Sequence, residues 1–427
     1  MISNKTDSEL GRELMTVRGF QWIYGVKDDP YALLLRAESD DPHELGRRVR
    51  ERGSLYWSSA ESWVTADHAT GAEALADGRL GVRPPAPQDV PSDRASYAWQ
   101  IPSLDDVFPL DDACLKLARD EYERLRELVE PAFTGEAAPA QHAAAVKHHE
   151  QRLDALANTE AGFDLTADLI RPAVTAAVAS LLGVPAERGA DYERICSDAA
   201  VTLDATLCPP RLNTARSLVT AVTECRDLAR QLAAAAGQDT KEDLVGRVAR
   251  AAGRPAAEVL CTLFTTVGIE VAVTLAGNAV SAMLDDRDEW AKMTEDPARS
   301  ADVVRETLRH APPVRMQKLV AAEDLVLGGE QVRTGSQVVV LIEAADRDNG
   351  AFPDADRFVV GRETGASDLF GTDGLPVSVV AAFARTHAAA ALETLARRLP
   401  NLRRTGPAVR RLRSPVSGGM LQFPVGA

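Results

Sequence analysis

A carboxylate and a guanidinium three residues apart open the best-defined stretch of the sequence, residues 303–358. Glu306 and Arg309 lie in VVRETLRHAPPVR, and residues three apart on a helix share one face. Two prolines then end the predicted helix. On an exposed surface such a pair is worth about 0.2–0.5 kcal/mol. A second arginine, Arg357, follows in AFPDADRF. Two guanidiniums around one carboxylate form a buried network only if backbone carbonyls satisfy the remaining donors.

Apolar, β-branched residues between the two arginines predict a strand pair. It consists of residues 325–327, a turn at Gly328-Gly329, and residues 338–342. The order of a Glu-x-x-Arg helix, two strands and an Asp-Arg-Phe turn resembles the cytochrome P-450 family. The resemblance implies a mainly α fold, with a large helical part and a small β-rich part in a single domain. It also implies that the carboxylate and both arginines form a buried structural triad.

The loop that follows lacks the residue that defines this family's chemistry. In the family, a Phe-Gly loop carries the cysteine thiolate that ligates haem iron. This sequence has the loop, as DLFGTDGLPVSVV, but its last cysteine is Cys261. The following helix ends at Pro400, and this register puts Ser378 at the ligand position, or Val377 if the loop is one residue shorter. A neutral hydroxyl is a poor substitute for the thiolate that promotes O–O cleavage.

A long apolar stretch, TTVGIEVAVTLAGN, resembles the family's central helix. There the family has a glycine, an acid and a threonine, and the acid and alcohol deliver protons to iron-bound oxygen. Gly268 and Glu270 match, but Val271 occupies the threonine position, and a valine methyl cannot relay a proton. Thr265 and Thr266 lie about one turn upstream. We expect them to bond their own helix backbone, as buried threonines commonly do.

Two further positions that would contact the haem propionates are also changed. In DEYERLRELV, Tyr122 stands where the family has histidine, although Arg126 remains. Leu319 stands where the family has arginine, with Lys318 beside it. We call Tyr122, Val271, Leu319 and Ser378 the haem-side positions. Random drift would also damage the buried triad, whose loss costs about 3–5 kcal/mol. The pattern therefore indicates a protein that is still required to fold but not to activate oxygen.

One branch of the family matches this pattern: the auxiliary proteins of antibiotic glycosyltransferases, which resemble cytochromes P-450 without the haem cysteine. They carry an aromatic N-terminal stretch similar to RGFQWIYG and DDPYA. We divide the chain accordingly into an N-terminal extension, residues 1–36, and a P-450-like domain, residues 37–427. Aromatic side chains favour interface anchors, so Phe20, Trp22, Tyr24 and Tyr31 are candidate partner contacts. The alternative is that they simply pack against the body of the protein.

The resemblance implies a non-catalytic protein without a cofactor that binds, stabilises and activates a TDP-deoxysugar glycosyltransferase. Such proteins serve macrolide- and anthracycline-type antibiotic biosynthesis. The alternative is a haem-containing monooxygenase with an atypical ligand, for which His387 is a candidate. A third hypothesis is a small-molecule sensor that uses the emptied pocket.

The composition of the chain limits the binding partners and the cellular compartment that we expect. The net charge of −15 argues against binding to nucleic acid or an anionic membrane surface. The apolar stretch over 259–284 is long enough to span a membrane, but we expect a buried central helix instead. The N-terminus is polar, so we expect no signal peptide and a cytoplasmic protein. The five cysteines have no metal-binding spacing and predict ordinary buried thiols.

Overall fold

The fold is described from a computed structural model. The structure describes residues 5–37, 41–85, 104–108, 111–156, 162–236, 243–363 and 366–427. Residues 1–4 of the predicted N-terminal extension lie outside these ranges.

Helices make up most of the described chain, which confirms the predicted mainly α fold. They are α1 (Asp7–Gly25), α2 (Pro30–Arg36), α3 (Pro42–Arg50), α4 (His68–Ala76), α5 (Leu104–Val107), α6 (Arg119–Val129), α7 (Ala138–Asp154), α8 (Arg171–Leu182), α9 (Gly189–Ala199), α10 (Leu212–Ala236), α11 (Leu244–Ala252), α12 (Arg254–Leu263), α13 (Ile269–Asp285), α14 (Arg287–Glu295), α15 (Ser300–His310), α16 (Ile342–Ala345) and α17 (Pro376–Arg398). Aspartates start several of them. Asp29, Asp67 and Asp243, for example, each accept a hydrogen bond from the third backbone N–H of α2, α4 and α11. This satisfies donors that a helix start leaves unpaired.

Short strands form the small β part. They are β1 (Tyr56–Ser58), β2 (Ser62–Thr65), β3 (Leu80–Gly81), β4 (Phe163–Asp164), β5 (Gln317–Ala321), β6 (Leu325–Leu327), β7 (Glu330–Val332), β8 (Gln337–Val340), β9 (Arg403–Arg404), β10 (Val409–Arg410), β11 (Met420–Gln422) and β12 (Pro424–Gly426). The largest sheet has the order β1-β2-β8-β5-β3, in which β2 and β8 are parallel. A second sheet has the order β4-β12-β9, and β10 pairs with β11.

The predicted pairing of residues 325–327, which form β6, with residues 338–342 is wrong. β6 pairs with β7, with Leu325 opposite Val332, whereas β8 pairs with β5 and β2. Gly328 and Gly329 both have positive φ values, +54° and +86°. Two such residues form a tight two-residue hairpin turn, which joins β6 to the residues that follow immediately.

The central helix lies in the middle of the core. α12 and α13 are continuous through a π-helical turn, Phe264–Gly268, and together they pack against α17. At the crossing, a Cβ on Gly268 would lie 3.3 Å from Val380 Cγ1. Two helical stretches are long and apolar enough to cross a membrane, Leu165–Leu182 and Arg254–Asp285, but 94% of the apolar window in the second is buried within the protein. Its apolar residues therefore serve the core.

Glu306 and Arg309 form a buried ion pair on α15. Arg309 donates from Nη2 to Glu306 Oε1 at 2.7 Å and from Nε to Oε2 at 3.1 Å. Its remaining donors reach the backbone carbonyls of Asp346, Ala355 and Arg357 at 2.8–2.9 Å. Backbone oxygens thus complete the network.

The second guanidinium of this network comes from Arg362, and the assignment of that role to Arg357 is wrong. Arg362 Nε donates to Glu306 Oε1 at 3.2 Å, and the Val359 N–H donates to the same oxygen at 2.9 Å. Arg357 is exposed and contributes only its carbonyl. The chain turns back at Gly361, where φ is +79°, and this turn precedes the arginine that reaches the carboxylate.

Candidate functional site

Ser378 lies in the first turn of α17 and is buried. Its Oγ donates to the carbonyl of Leu375 at 2.6 Å, so the hydroxyl is engaged within its own helix start. All five cysteines are free and buried on other elements, and burial raises the thiol pKa of Cys114 and of Cys208 to about 12. The loop therefore contains no thiolate, and no cysteine on another element provides one.

Glu270, the acid of the central helix, is held between two arginines. Arg171 Nη2 lies 2.7 Å from Glu270 Oε2, and Arg411 Nη1 lies 2.6 Å from Oε1. Burial by itself would raise the pKa of Glu270, but the two guanidiniums outweigh burial and lower the pKa to about 2. A carboxylate that is ionised this firmly cannot supply a proton at neutral pH. Beside it, Val271 is fully buried.

The two upstream threonines do not replace the missing alcohol. Thr265 Oγ1 donates to the Cys261 carbonyl at 2.8 Å, and Thr266 Oγ1 donates to the Thr262 carbonyl at 2.9 Å. These are bonds within their own helix, as the sequence predicted. Tyr192 lies 3.1 Å from Thr265 Oγ1 and shares a hydrogen bond with it.

On α6, the two side chains at positions that would contact the haem propionates bind other groups of the protein instead. Tyr122 donates to the Cys114 carbonyl at 2.7 Å and accepts from the Leu117 N–H at 3.1 Å. Arg126 forms ion pairs with Asp373 and Glu130, at 2.7 Å and 3.1 Å. The side chain remains, but the protein itself supplies its carboxylate partners.

The other propionate position, on β5, is apolar and closed. Leu319 is completely buried, and its backbone pairs with that of Val338. The neighbouring Lys318 points elsewhere, with Nζ at 3.4 Å from the Thr206 carbonyl.

These residues do not fit a haem. Between β5 and the start of α17 lies a cavity of about 40 Å³, lined by residues that include Val314, Met316, Val377 and Val416. Pockets for ligands smaller than or similar to a porphyrin occupy about 300–1,000 Å³. No step of oxygen chemistry can be derived from this geometry.

His387, the candidate alternative ligand, lies in the core between α17 and α7. Its ring packs 4.4 Å from the Phe383 ring and 5.8 Å from the His149 ring. Both histidines are buried, and burial lowers the pKa of each, that of His149 to about 3. His387 thus lies more than two helical turns beyond Ser378, within this aromatic cluster.

The N-terminal aromatic residues divide into two groups. Tyr31 is fully buried, so its assignment as a direct partner contact is wrong: it packs into the core at the start of α2. Phe20 and Tyr24 are half-buried and line a groove with it. Trp22 is 45% exposed on the outer face of α1.

Three exposed apolar residues that the sequence analysis did not single out accompany Trp22. Met15, Ile23 and Val26 are 76%, 60% and 77% exposed. With Trp22 they form what we call the outer stripe of α1, in which Val26 is the residue that caps the C-terminus of the helix. Their spacing of three, four and eight residues places them on one face. The helical spacing of these apolar residues is the feature of the sequence that could have identified this face. The described part of the protein has few other large exposed apolar side chains, and none of them clusters on one helix in this way.

The Trp22 ring is held in place before any partner binds. The Arg36 guanidinium lies 4.5 Å from the ring centroid, and Arg36 Nη2 donates to the Trp22 carbonyl at 2.6 Å. A Cβ on Gly25 would lie only 2.3 Å from Arg36 Nε, so a larger residue there would displace the Arg36 side chain from this position. Such ordering lowers the entropy cost of binding.

Known proteins resemble this chain along almost its whole length. The sequence profile of the cytochrome P450 family matches residues 298–365. Protein AknT of Streptomyces galilaeus is 43% identical, with 99% of this chain and 97% of AknT covered. Cytochrome P450 family protein EryCII of Saccharopolyspora erythraea is 31% identical, with 97% of each chain covered. The crystal structure of Mycobacterium smegmatis CYP164A2 with econazole bound superposes with a TM-score of 0.76 at 26% identity, covering 93% of this chain and 99% of that one. The predicted cytochrome P-450 fold is confirmed.

Proposed function

The chain belongs to the cytochrome P450 family, and within that family we propose that it is a non-catalytic auxiliary protein that binds, stabilises and activates a TDP-deoxysugar glycosyltransferase. The transferase would act in macrolide- or anthracycline-type antibiotic biosynthesis, in the cytoplasm. The observation that carries the proposal is the contrast between the buried charge network and the haem-side positions. The buried Glu306 network is intact, whereas every haem-side position is used for internal packing or hydrogen bonds.

The outer stripe of α1 supports a protein partner. An exposed apolar face on an otherwise acidic protein is typical of an interaction site, and tryptophan and arginine are enriched among the residues that contribute most to binding in interfaces. We propose that the stripe contacts an apolar surface of the glycosyltransferase, with Trp22 as its anchor. The half-buried Phe20 and Tyr24 would lie at the edge of that contact. Residues 1–36 would then be the part of the chain that serves binding.

Activation by such a protein needs no catalytic group. A protein that binds the active form of an enzyme more tightly than the inactive form raises the active population by the ratio of the two affinities. A 100-fold gain in activity requires a difference of about 2.7 kcal/mol. An anchor of the outer stripe that is worth about 2 kcal/mol, and that contacts only the active form, would therefore account for most of the effect.

The proposal is tested by co-expression with the cognate glycosyltransferase. We expect co-purification of the two proteins and a large gain in sugar transfer over either protein alone. Ile23→Asp should weaken the complex roughly 30-fold, because it buries an unpaired charge in the interface. Val326→Asp is the matched control, since Val326 is a similarly exposed aliphatic residue on β6, at 50% against 60% for Ile23. Equal loss in both variants would contradict the assignment of the surface.

An absorption spectrum of the purified protein tests the alternative. A strong Soret band at near-stoichiometric haem would overturn the proposal and favour a monooxygenase with an atypical ligand.

A further inference from the structure

A second candidate site lies beneath α2 and α3. Arg315, Arg410 and Arg411 line a cavity of about 180 Å³ between these helices and the turn at residues 414–419. Its apolar wall includes Leu34, Leu45 and Pro415, and the cavity is separate from the 40 Å³ cavity described above.

Positive charge exceeds negative charge around this cavity. Arg315 pairs with Glu343 through Nε, and Arg411 pairs with Glu270. Arg410 instead donates to two neutral oxygens, the Gly418 carbonyl and Asn278 Oδ1, the latter at 3.1 Å. Among the described residues, no carboxylate forms an ion pair with Arg410. Although part of its side chain is exposed, burial of the guanidinium and the charge of Arg315 lower the pKa of Arg410.

The adjoining cleft adds two more cations. Arg50 and Arg347, together with Glu343 and Asp356, line a small cavity that shares Arg315 with the first. Arg50 donates to the Ala344 carbonyl. Arg347 donates to the His310 carbonyl from Nε at 3.0 Å and from Nη2 at 2.7 Å, and its ion pair with Asp356 is long, at 3.9 Å. On a chain of net charge −15, this is a local concentration of guanidinium groups.

The turn at residues 414–419, which follows Arg410 and Arg411 in the chain, is built rigidly. The buried carboxylate of Asp204 accepts from the N–H groups of Val416 and Ser417, at 2.9 Å and 3.0 Å, and from the hydroxyls of Ser414 and Ser417, both at 2.7 Å. Gly418 follows with φ at +57°, and a Cβ there would lie 2.8 Å from Arg315 Cδ. Because Arg410 donates to the Gly418 carbonyl, this turn holds the Arg410 guanidinium at the cavity wall before any ligand arrives.

We propose that this cavity binds a phosphate group, carried either by inorganic phosphate or by a small phosphate ester. Several guanidinium groups around one cavity suit a tetrahedral anion with many acceptor positions, because each group presents paired N–H donors. An anion would also relieve the repulsion between Arg315 and Arg410. The apolar wall would accept the organic part of an ester. This site is separate from the outer stripe and does not depend on the proposed glycosyltransferase partner.

Isothermal titration calorimetry of the isolated full chain tests the proposal, with inorganic phosphate and thymidine 5′-phosphate as two probes at constant ionic strength. We expect saturable 1:1 binding, tighter for the ester if the apolar wall is used and equal for both if only the phosphate is held. Arg410→Gln should weaken binding at least tenfold, and Arg410→Lys should weaken it less. Arg403→Gln, which alters an exposed arginine on β9, should leave binding unchanged.

A second variant keeps the test decisive if Arg410→Gln is unstable. Leu34→Asp adds a carboxylate to the mouth of the cavity without removing any arginine, and it should also weaken binding at least tenfold. No saturable binding of either probe to the wild-type protein, or equal loss in Arg403→Gln and Arg410→Gln, would overturn the proposal.

Discussion

Replacement of Glu306 by glutamine tests whether the buried charge network holds the fold together. The Glu306 carboxylate accepts four hydrogen bonds, two from Arg309, one from Arg362 and one from the Val359 N–H. Glutamine has nearly the same shape, but it removes the negative charge and leaves two guanidiniums buried against each other. The loss of one member of such a network costs about 3–5 kcal/mol.

The expected change in melting temperature follows from the size of the chain. An unfolding entropy of about 2.1 cal/mol/K per residue gives roughly 0.9 kcal/mol/K for the 427 residues. A loss of about 3–5 kcal/mol therefore lowers the Tm by about 3–6 °C. Differential scanning calorimetry at neutral pH measures this shift, and urea unfolding gives an independent value.

The same helix provides a matched control. Asp302 and Arg305 are also three residues apart on α15 and form an ion pair at 2.9 Å, but their side chains are 44% and 66% exposed. Asp302→Asn should cost no more than about 0.5–1 kcal/mol, a shift of about 1 °C. Equal Tm values for the two variants would refute the reasoning, because burial would then make no difference to the pair.

Three further predictions concern the core. Because burial lowers the folded-state pKa of His149 and of His387 below the unfolded value of about 6.5, the unfolded chain binds more protons at acidic pH, and stability should fall as the pH drops below about 6.5. Between pH 7.5 and 5.5 the loss is about 1.4 kcal/mol per histidine, and urea unfolding of His149→Phe should show a shallower pH dependence than the wild type. Ser378→Ala removes one hydrogen bond to a helix-start carbonyl, so glycosyltransferase activation should be unchanged; its loss would indicate chemistry in the loop. Asp204→Ala removes the acceptor of four hydrogen bonds in the 414–419 turn and should destabilise the protein by at least about 1–3 kcal/mol, whereas an unchanged urea midpoint would show that the turn is held by other contacts.

The features that the sequence determined are local ones. The spacing of Glu306 and Arg309 places them on one helix face in any fold that keeps the helix. Thr265 and Thr266 bond carbonyls four residues before them, so their environment also follows from the helix alone. The absence of a cysteine after residue 261 is a fact of the sequence, and it removes the thiolate whatever the tertiary structure.

Tertiary structure decided the contacts between distant residues. The arginines that fix Glu270 are 99 and 141 residues away from it, and no local pattern marks them. The choice of Arg362 over Arg357 depends on how the chain turns back past Gly361. The periodicity of a helix predicts which side chains share a face, but only the packing of whole elements determines which face is covered. For that reason the sequence identified the aromatic segment of α1 and α2, while the structure showed that Tyr31 lies in the core and Trp22 on the surface.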